Sequence, residues 1–162
     1  MALFRCGGGG GTITLDRLCY INYRGKDTTE IPPITSADYG TNYSEYLSYD
    51  STTKKFTVLK SFHAEVVTWV YQYSTAQGSA AHGEFIVNGT TIASYQCATR
   101  MAGEREGTCI YVKFNAGDIF WNYTPSSAGY PQQRLKIYRL ENETETEMNN
   151  INTAIQFADE NA

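Results

Sequence analysis

The chain has 162 residues, a length that suits one domain. Tyrosine is unusually frequent, with 13 copies beside 7 phenylalanines and 2 tryptophans, and aromatic residues favour the half-buried positions of β-strands. The net charge of −4, with no extended basic stretch, argues against nucleic acid or an anionic membrane as a partner, because phosphate binding needs clustered positive charge. No apolar run approaches the roughly 20 residues that span a bilayer, so no membrane insertion is expected.

Residues 1–45 are predicted to form an extended N-terminal arm. The sequence opens Met-Ala-Leu-Phe-Arg-Cys and runs into five glycines, a composition typical of a linker. Segment 12–23 carries strand-like residues, but Pro32-Pro33 and the polar, tyrosine-rich stretch 36–48 indicate connecting chain. We expect no signal peptide, since the apolar segment is too short, and hence synthesis in a cytoplasm. The arm is expected to attach the domain to a partner through Phe4, Cys6, Gly7, Gly8, Gly9, Gly10 and Gly11.

Residues 46–140 are predicted to form the main, all-β domain. Short runs of aromatic and β-branched residues alternate with turn signals such as Asn-Gly and Asn-Ala-Gly. Eight short strands joined by turns predict a jelly-roll β-sandwich. The predicted strands are Tyr46–Tyr49, Lys55–Leu59, Ala64–Tyr73, Gly83–Val87, Thr90–Ala98, Cys109–Phe114, Asp118–Tyr123 and Arg134–Leu140.

Two hairpins are predicted within this domain. Asn88-Gly89 suits a type I′ turn, in which both central residues take positive φ, so the strands on either side should pair antiparallel. Folding the chain about Gly103 would place Cys97 opposite Cys109 on the outer face, with Ile110, Val112 and Phe114 facing the core. Free thiols are the default for a cytoplasmic protein, and a disulfide between these two cysteines is the alternative.

Residues 141–162 differ from the rest, because acidic residues replace the aromatic ones. One interpretation is an acidic solubilising tail. The other is a short coiled-coil helix, since Thr144, Met148, Ile151, Ile155 and Ala158 follow heptad spacing and isoleucine at both seam positions favours three strands. On that interpretation the assembly contacts are Met148, Ile151 and Ile155.

No constellation of residues points to catalysis, to a metal or to a cofactor. The two histidines, His63 and His82, are predicted at a strand start and in a solvated loop, and His63 shares a face with Glu65 as part of a surface ladder. Asp118 is interpreted as a turn residue. With no nucleophile motif, zinc-ligand spacing or carboxylate pair, we expect a protein that is not an enzyme.

A cluster of aromatic residues around a Pro/Ser/Gly loop suggests a ligand-binding surface. Trp121, Tyr123 and Tyr130 could stack on the rings of a cell-surface glycan, because indole and phenol rings offer a flat apolar face and a polar tip. The plainer interpretation is that they are half-buried strand aromatics.

Several stretches between Tyr49 and Leu140 form a pattern of strands and turns. They are Tyr49-Asp50 before Lys55-Phe56-Thr57-Val58, the long strand 66–73, Phe85-Ile86-Val87-Asn88-Gly89, Val112-Lys113-Phe114-Asn115-Ala116-Gly117-Asp118-Ile119-Phe120 and Leu135-Lys136-Ile137-Tyr138. On these stretches the segment from Tyr49 to Leu140 resembles the C1q/TNF-like jelly roll. The glycine that the family shows before the long strand is replaced by Ala64 or Glu65 here. Domains of this family are compact trimeric β-sandwiches, so the resemblance implies a homotrimer.

The N-terminus is similar to that of structural proteins encoded by bacteriophages of gut bacteria. This second resemblance implies a virion protein, assembled in the bacterial host cytoplasm: a trimeric knob that decorates a capsid or ends a fibre and that is joined to other virion proteins by its arm. The alternatives are a receptor-binding module for a host-surface glycan and a small surface depolymerase. The depolymerase is disfavoured because it would need a pair of carboxylates in a cleft.

Overall fold

A computed structural model describes residues 14–25, 31–72, 80–97, 103–125 and 131–141. Within these ranges the chain forms ten β-strands and one single-turn helix. They are β1 (Thr14–Arg24), β2 (Ile34–Tyr39), α1 (Tyr43–Tyr46), β3 (Leu47–Asp50), β4 (Lys55–Val58), β5 (Phe62–Gln72), β6 (His82–Val87), β7 (Thr90–Gln96), β8 (Arg105–Phe114), β9 (Ile119–Tyr123) and β10 (Pro131–Glu141). None of the described helices has the length and hydropathy that a membrane span requires.

The strands form two five-stranded sheets that face each other. The first sheet has the order β2-β1-β10-β5-β8 and the second has the order β3-β4-β9-β6-β7. Every neighbouring pair is antiparallel. The all-β prediction and the jelly-roll sandwich are therefore confirmed.

The core lies between the sheets because each strand turns alternate side chains inward. Strand β5 alternates without a break from buried Phe62 to buried Gln72. Phenylalanines fill the centre: the rings of Phe56 and Phe120 stack with centroids 5.0 Å apart, and Phe85 and Phe114 pack on Phe120 at 5.6 and 5.2 Å. Burying side chains of this size contributes about 1.5–3 kcal/mol each and dominates the stability of the sandwich.

All eight predicted strands are present, with ends that move by a few residues. The predicted hairpin at Asn88-Gly89 is also confirmed: φ is 51° at Asn88 and 82° at Gly89, and Val87 pairs with Thr90.

The predicted boundary near residue 45 is wrong, because two strands of the sandwich precede it. Strand β1 pairs with β10 along its whole length, and its Leu18, Cys19 and Ile21 side chains are fully buried in the core. Strand β2 pairs with β1 at the edge of the same sheet. Within the predicted arm the structure describes residues 14–25 and 31–45, and residues 1–13 and 26–30 lie outside the described ranges.

The predicted hairpin about Gly103 is also wrong. Strand β7 pairs with β6 in the second sheet, whereas β8 pairs with β5 in the first, so the chain crosses between sheets at this point. Cys109 lies opposite Val67 and is exposed, while Cys97 is buried, and both are free thiols. The inward-facing part of the prediction holds, because Phe114 is buried in the core and Ile110 and Val112 pack against it.

Several predicted assembly and ligand residues fall outside the described ranges. They include the whole predicted C-terminal helix or tail beyond residue 141. The residues are Phe4, Cys6, Gly7, Gly8, Gly9, Gly10, Gly11, Tyr130, Met148, Ile151 and Ile155.

Candidate functional site

The outer face of the first sheet carries a row of large aromatic side chains. Because β5 turns its even-numbered residues inward, Val67, Trp69 and Tyr71 point outward. The strands on either side add aromatic residues to the same surface. We call this surface the aromatic face; its rings belong to Tyr20 on β1, Trp69 and Tyr71 on β5, Tyr111 on β8 and Tyr138 on β10, all of them half-buried.

At the centre of the aromatic face, cations alternate with rings. The rings of Tyr20 and Trp69 are nearly parallel, with centroids 6.4 Å apart. The Lys136 ammonium lies 5.0 Å from the Tyr20 centroid and 5.4 Å from that of Trp69, and the Arg134 guanidinium lies 5.7 Å from Trp69. The register explains the contact, since Lys136 pairs with Tyr20 on one side and with Val67 on the other. Cations held on ring faces attract the ring quadrupole, which fixes the long side chains.

Gly107 lets the edge strand β8 approach Trp69 closely. It pairs with Trp69, and a Cβ at this position would stand 2.3 Å from the Trp69 Cβ and 2.5 Å from the Thr68 carbonyl oxygen. No residue other than glycine fits that spacing without moving the backbone of β5. The glycine therefore allows the edge strand β8 to lie close against β5 beside Trp69.

The part of the aromatic face around Glu65 is polar. The Tyr111 hydroxyl donates to Glu65 Oε2 at 3.1 Å, and Tyr138 lies opposite Glu65 on β10. His63 and Glu65 share this face, as the sequence predicts. Although Cys109 is exposed, desolvation by its strand neighbours and then the Glu65 charge raise the pKa of its thiol to about 11, so the thiol stays protonated near neutral pH.

The sandwich has an open side where the last strands of the two sheets, β7 and β8, run past each other. We call this the open edge. Ala93, Ile110 and Val112 are only partly buried there. The Cys97 thiol donates to the Glu104 carbonyl oxygen at 3.6 Å, and burial followed by the Glu104 charge raises its pKa. Apolar side chains and strand edges that are left incompletely covered are the features by which chains associate.

No family model and no curated protein matches the sequence. Solved structures do match. The globular domain of zebrafish complement 1qA protein is similar over 73% of this chain and 94% of its own, with 7% identity and a TM-score of 0.53. Eiger TNF from S. frugiperda is similar over 80% of this chain and 96% of its own, with 9% identity and a TM-score of 0.50. This chain has a C1q/TNF-like fold. GITRL from pika is also similar, with 16% identity, coverage of 75% and 94%, and a TM-score of 0.48.

Within this C1q/TNF-like fold, Trp121 and Tyr123 lie on β9 and not in a loop. They point outward from the second sheet, on the side opposite to the aromatic face, and both are half-buried. The Lys55 ammonium lies 4.0 Å from the Trp121 ring centroid. That cation covers one face of the Trp121 ring.

The predicted polar residues are placed apart from one another. His82 begins β6 instead of lying in a loop, and its Nε2 lies 2.9 Å from the Ser94 hydroxyl and 3.5 Å from Glu84 Oε1. Asp118 is a turn residue, as predicted, accepting hydrogen bonds from the Asn115 backbone N–H at 2.7 Å and from the Asn88 amide at 2.8 Å. Among the described histidine, cysteine and acidic residues, no group of three could hold a metal ion.

The aromatic face is the feature that the sequence interpretation missed. The sequence of β5 contains an indication of it, because Trp69 and Tyr71 fall among the alternate residues of the strand that point towards solvent. Large aromatic residues in a solvent-facing phase indicate a surface that a partner covers. The contributions of Tyr20 and Lys136 could not be found in the same way, because they depend on which strands become neighbours.

Proposed function

We propose that this chain is a non-enzymatic assembly module in which three copies of the jelly roll form a knob. The observation that carries the proposal is the aromatic face, a flat array of half-buried rings and basic side chains on one sheet. Tryptophan, tyrosine and arginine are the residues enriched at the energetic centres of protein interfaces.

The open edge is the surface of a second copy that complements the aromatic face. The face presents basic Arg134 and Lys136, and the edge carries acidic Glu104 and Glu106 beside partly buried Ile110. Opposite charges orient the two surfaces, and the apolar side chains of both leave water when the surfaces meet. The free energy of association then comes mainly from the rings.

Contact between two different surfaces gives a ring of copies. A face that packs on another copy's edge is a heterologous interface, and such interfaces produce closed rings when the rotation between copies closes. The resemblance to C1q/TNF-like domains, which are trimeric β-sandwiches, supplies the number of copies. On that basis the aromatic face lies inside the ring and the outer face of the second sheet remains accessible.

Substitutions on the two sheets test this interface. Trp69→Ala should shift the protein from trimer to monomer in light scattering after gel filtration, whereas Trp121→Ala removes a similar side chain from the other sheet and should leave the trimer intact. Circular dichroism of each variant checks that it folds. Retention of the trimer by Trp69→Ala, or its loss in Trp121→Ala, would rule out this interface.

A second test exchanges charges across the proposed interface and leaves the aromatic side chains in place. Lys136→Glu should weaken assembly because it places like charges at the interface, and adding Glu106→Lys should restore part of it. Failure of the second change to restore any assembly would count against the proposed pairing of face and edge.

The setting we propose for the knob is a phage virion, to which residues 1–13 attach it. The support is the sequence resemblance of the N-terminus and its glycine run. Deleting residues 1–11 should leave the trimer intact and abolish co-sedimentation with phage particles. If the full-length chain does not co-sediment with particles, the virion setting is wrong while the assembly proposal stands.

Glycan binding is the second candidate function. It is supported by Trp121 and Tyr123 standing side by side on the sheet that the proposed trimer leaves exposed. Trp121→Ala and Tyr123→Ala should each reduce binding on a glycan array, because each removes an aromatic ring from this surface. Tyr130→Ala tests the remaining predicted residue. An array on which the unaltered protein binds nothing would remove this candidate.

A further inference from the structure

Two tyrosine rings meet at the turn that joins β2 to α1. The ring centroids of Tyr39 and Tyr43 lie 4.2 Å apart, and the ring planes are tilted by 37°. Aromatic pairs in proteins usually have centroids about 4.5–7 Å apart, so this pair is closer than most. Carbon atoms of the two rings are therefore in van der Waals contact.

Backbone contacts with β1 hold this turn. The Gly40 N–H donates to the Leu18 carbonyl at 2.9 Å, and the Gly40 carbonyl accepts from the Tyr43 N–H at 3.1 Å. A Cβ at Gly40 would stand 1.8 Å from the Arg17 carbonyl oxygen, so glycine alone lets the chain lie this close to β1. The contact between the rings is therefore set by the fold and not only by their nearness in sequence.

One ring of the pair is open to solvent and the other is largely shielded. Tyr39 is 45% exposed, whereas the Tyr43 ring is half-buried and its hydroxyl is buried with no hydrogen-bond partner among the described residues. Desolvation raises the pKa of both hydroxyl groups, so both residues are neutral phenols near neutral pH. A neutral phenol gives up an electron together with its proton, and the tyrosyl radical that remains is also neutral, so its burial costs little.

We propose that Tyr39 and Tyr43 form a site of oxidative cross-linking, at which a peroxide-type oxidant joins the two rings as dityrosine. Each phenol loses one electron and one proton and becomes a tyrosyl radical. The two unpaired electrons form a new carbon–carbon bond between the ring carbons next to the hydroxyl groups, and the hydrogen atom on each of these carbons then moves to oxygen. Both phenols are restored, two protons have passed to water, and the oxidant accepts the two electrons as its O–O bond breaks.

The cross-link would fasten the edge of the first sheet. Strand β2 is the end strand of that sheet, and Tyr39 is its last residue. Tyr43 begins α1, from which the chain continues directly into β3 of the second sheet. A covalent bond between the two rings ties the edge strand to the element that enters the other sheet, so opening of β2 becomes less favourable. Both rings belong to one chain, so the site is independent of the trimer proposal.

The experiment oxidises the full-length protein with persulfate and a light-activated ruthenium complex. Trypsin then releases residues 27–54 as one peptide, because Lys26 and Lys54 bracket it. This peptide should lose the mass of two hydrogen atoms, should show dityrosine fluorescence, and should give no fragment ions from backbone cleavage between Tyr39 and Tyr43. Amide hydrogen exchange in β2 should be slower in the cross-linked protein than in the unoxidised protein.

Single phenylalanine substitutions provide the controls. Tyr39→Phe and Tyr43→Phe keep a ring of the same shape but lack the hydroxyl, so each should abolish the product. Tyr49→Phe removes a hydroxyl from the same peptide, on a ring that packs on Phe56 with centroids 4.8 Å apart, and should leave the yield unchanged. Circular dichroism of each variant checks its fold.

Formation of the product in Tyr39→Phe, oxidation of the tyrosines without a cross-link, or cross-links that join only different chains would overturn the proposal. So would an equal yield in the urea-unfolded protein, since nearness in sequence and not the fold would then bring the rings together. The yield should stay constant on dilution, and a yield that falls with protein concentration would also overturn it. Unchanged hydrogen exchange in β2 would overturn the role of the cross-link in fastening the edge strand.

Discussion

At the scale of single residues, Gln133 connects the two sheets through a buried hydrogen-bond network. Its Nε2 donates to the Tyr123 carbonyl at 3.1 Å and to the Thr124 hydroxyl. Its Oε1 accepts from the Asn122 amide at 3.1 Å and from the Tyr95 hydroxyl at 3.3 Å. Because Gln133 belongs to the first sheet and the other residues to the second or its continuation, the network fixes how the sheets stack at this end.

Replacing Gln133 by leucine should destabilise the fold strongly. The change keeps a buried side chain of similar size but leaves several polar groups without partners, which we expect to cost about 2–4 kcal/mol. Urea unfolding measures the loss. Gln132→Leu, the same substitution on the neighbouring, outward-facing residue, is the control and should change stability by less than about 0.5 kcal/mol. Similar costs for the two variants would mean that the network contributes little.

Cys19 gives the protein a sensitivity to alkaline pH. Complete burial is the largest cause that raises the pKa of its thiol from 9.0 to about 12. A group whose pKa is raised by folding stabilises the fold below its unfolded pKa and loses that contribution as pH rises towards its folded pKa. The stability supplied by the neutral thiol is therefore complete below about pH 9 and is lost between about pH 9 and about pH 12.

Cys19→Ala should remove this part of the pH dependence. Urea unfolding at a series of pH values above 8 should show a shallower decline for the variant than for the unaltered protein. Burial also raises the pKa of Tyr23 and Tyr95, so the variant keeps some decline. Parallel curves for the two proteins would show that Cys19 ionisation is not coupled to folding.

At the scale of elements, local sequence determined what could be predicted. The β6–β7 hairpin followed from Asn88-Gly89 because the turn needs two residues with positive φ and needs nothing distant. The prediction that β7 and β8 pair was wrong. Gly103 has positive φ, but a glycine with positive φ suits both a hairpin within one sheet and a crossing between two sheets. Pairing partners depend on the packed core and not on the turn.

The two N-terminal strands were missed for different physical reasons. In β1 the register shifts between Arg17 and Cys19, so Leu18 and Cys19 are both buried and the alternation that marks a strand is broken. Strand β2 is an edge strand whose residues from Thr35 to Tyr39 are all exposed, so no alternation of apolar and polar residues marks it as a strand.

The Asn88 side chain joins the β6–β7 turn to the turn before β9. Its amide donates to Asp118 Oδ1 at 2.8 Å, and its Oδ1 accepts from the Ile119 backbone N–H at 2.9 Å. Asn88→Ala should cost about 2–4 kcal/mol, because it removes both bonds and places a non-glycine, non-asparagine residue at φ 51°.

Asn88→Gly separates these two causes. Glycine removes the same hydrogen bonds but adopts positive φ freely, so its cost in urea unfolding should be about 1–2 kcal/mol smaller than that of alanine. Equal costs would show that backbone conformation contributes nothing at this turn.

At the scale of the whole molecule, the sandwich presents unlike surfaces on its different sides. The first sheet carries the aromatic face, and the open edge lies between β7 and β8. The second sheet exposes Trp121 and Tyr123. A ring formed by the face of one copy and the edge of the next buries the first two surfaces and leaves the third outward, which is the arrangement that a knob with an accessible binding surface requires.

The mass of the protein in solution tests this account most directly. Sedimentation equilibrium of the full-length chain at micromolar concentrations should give three times the monomer mass of 18.1 kDa. A mass that stays at 18.1 kDa throughout that range would contradict the account, because the aromatic face and the open edge would then have no second copy to cover them.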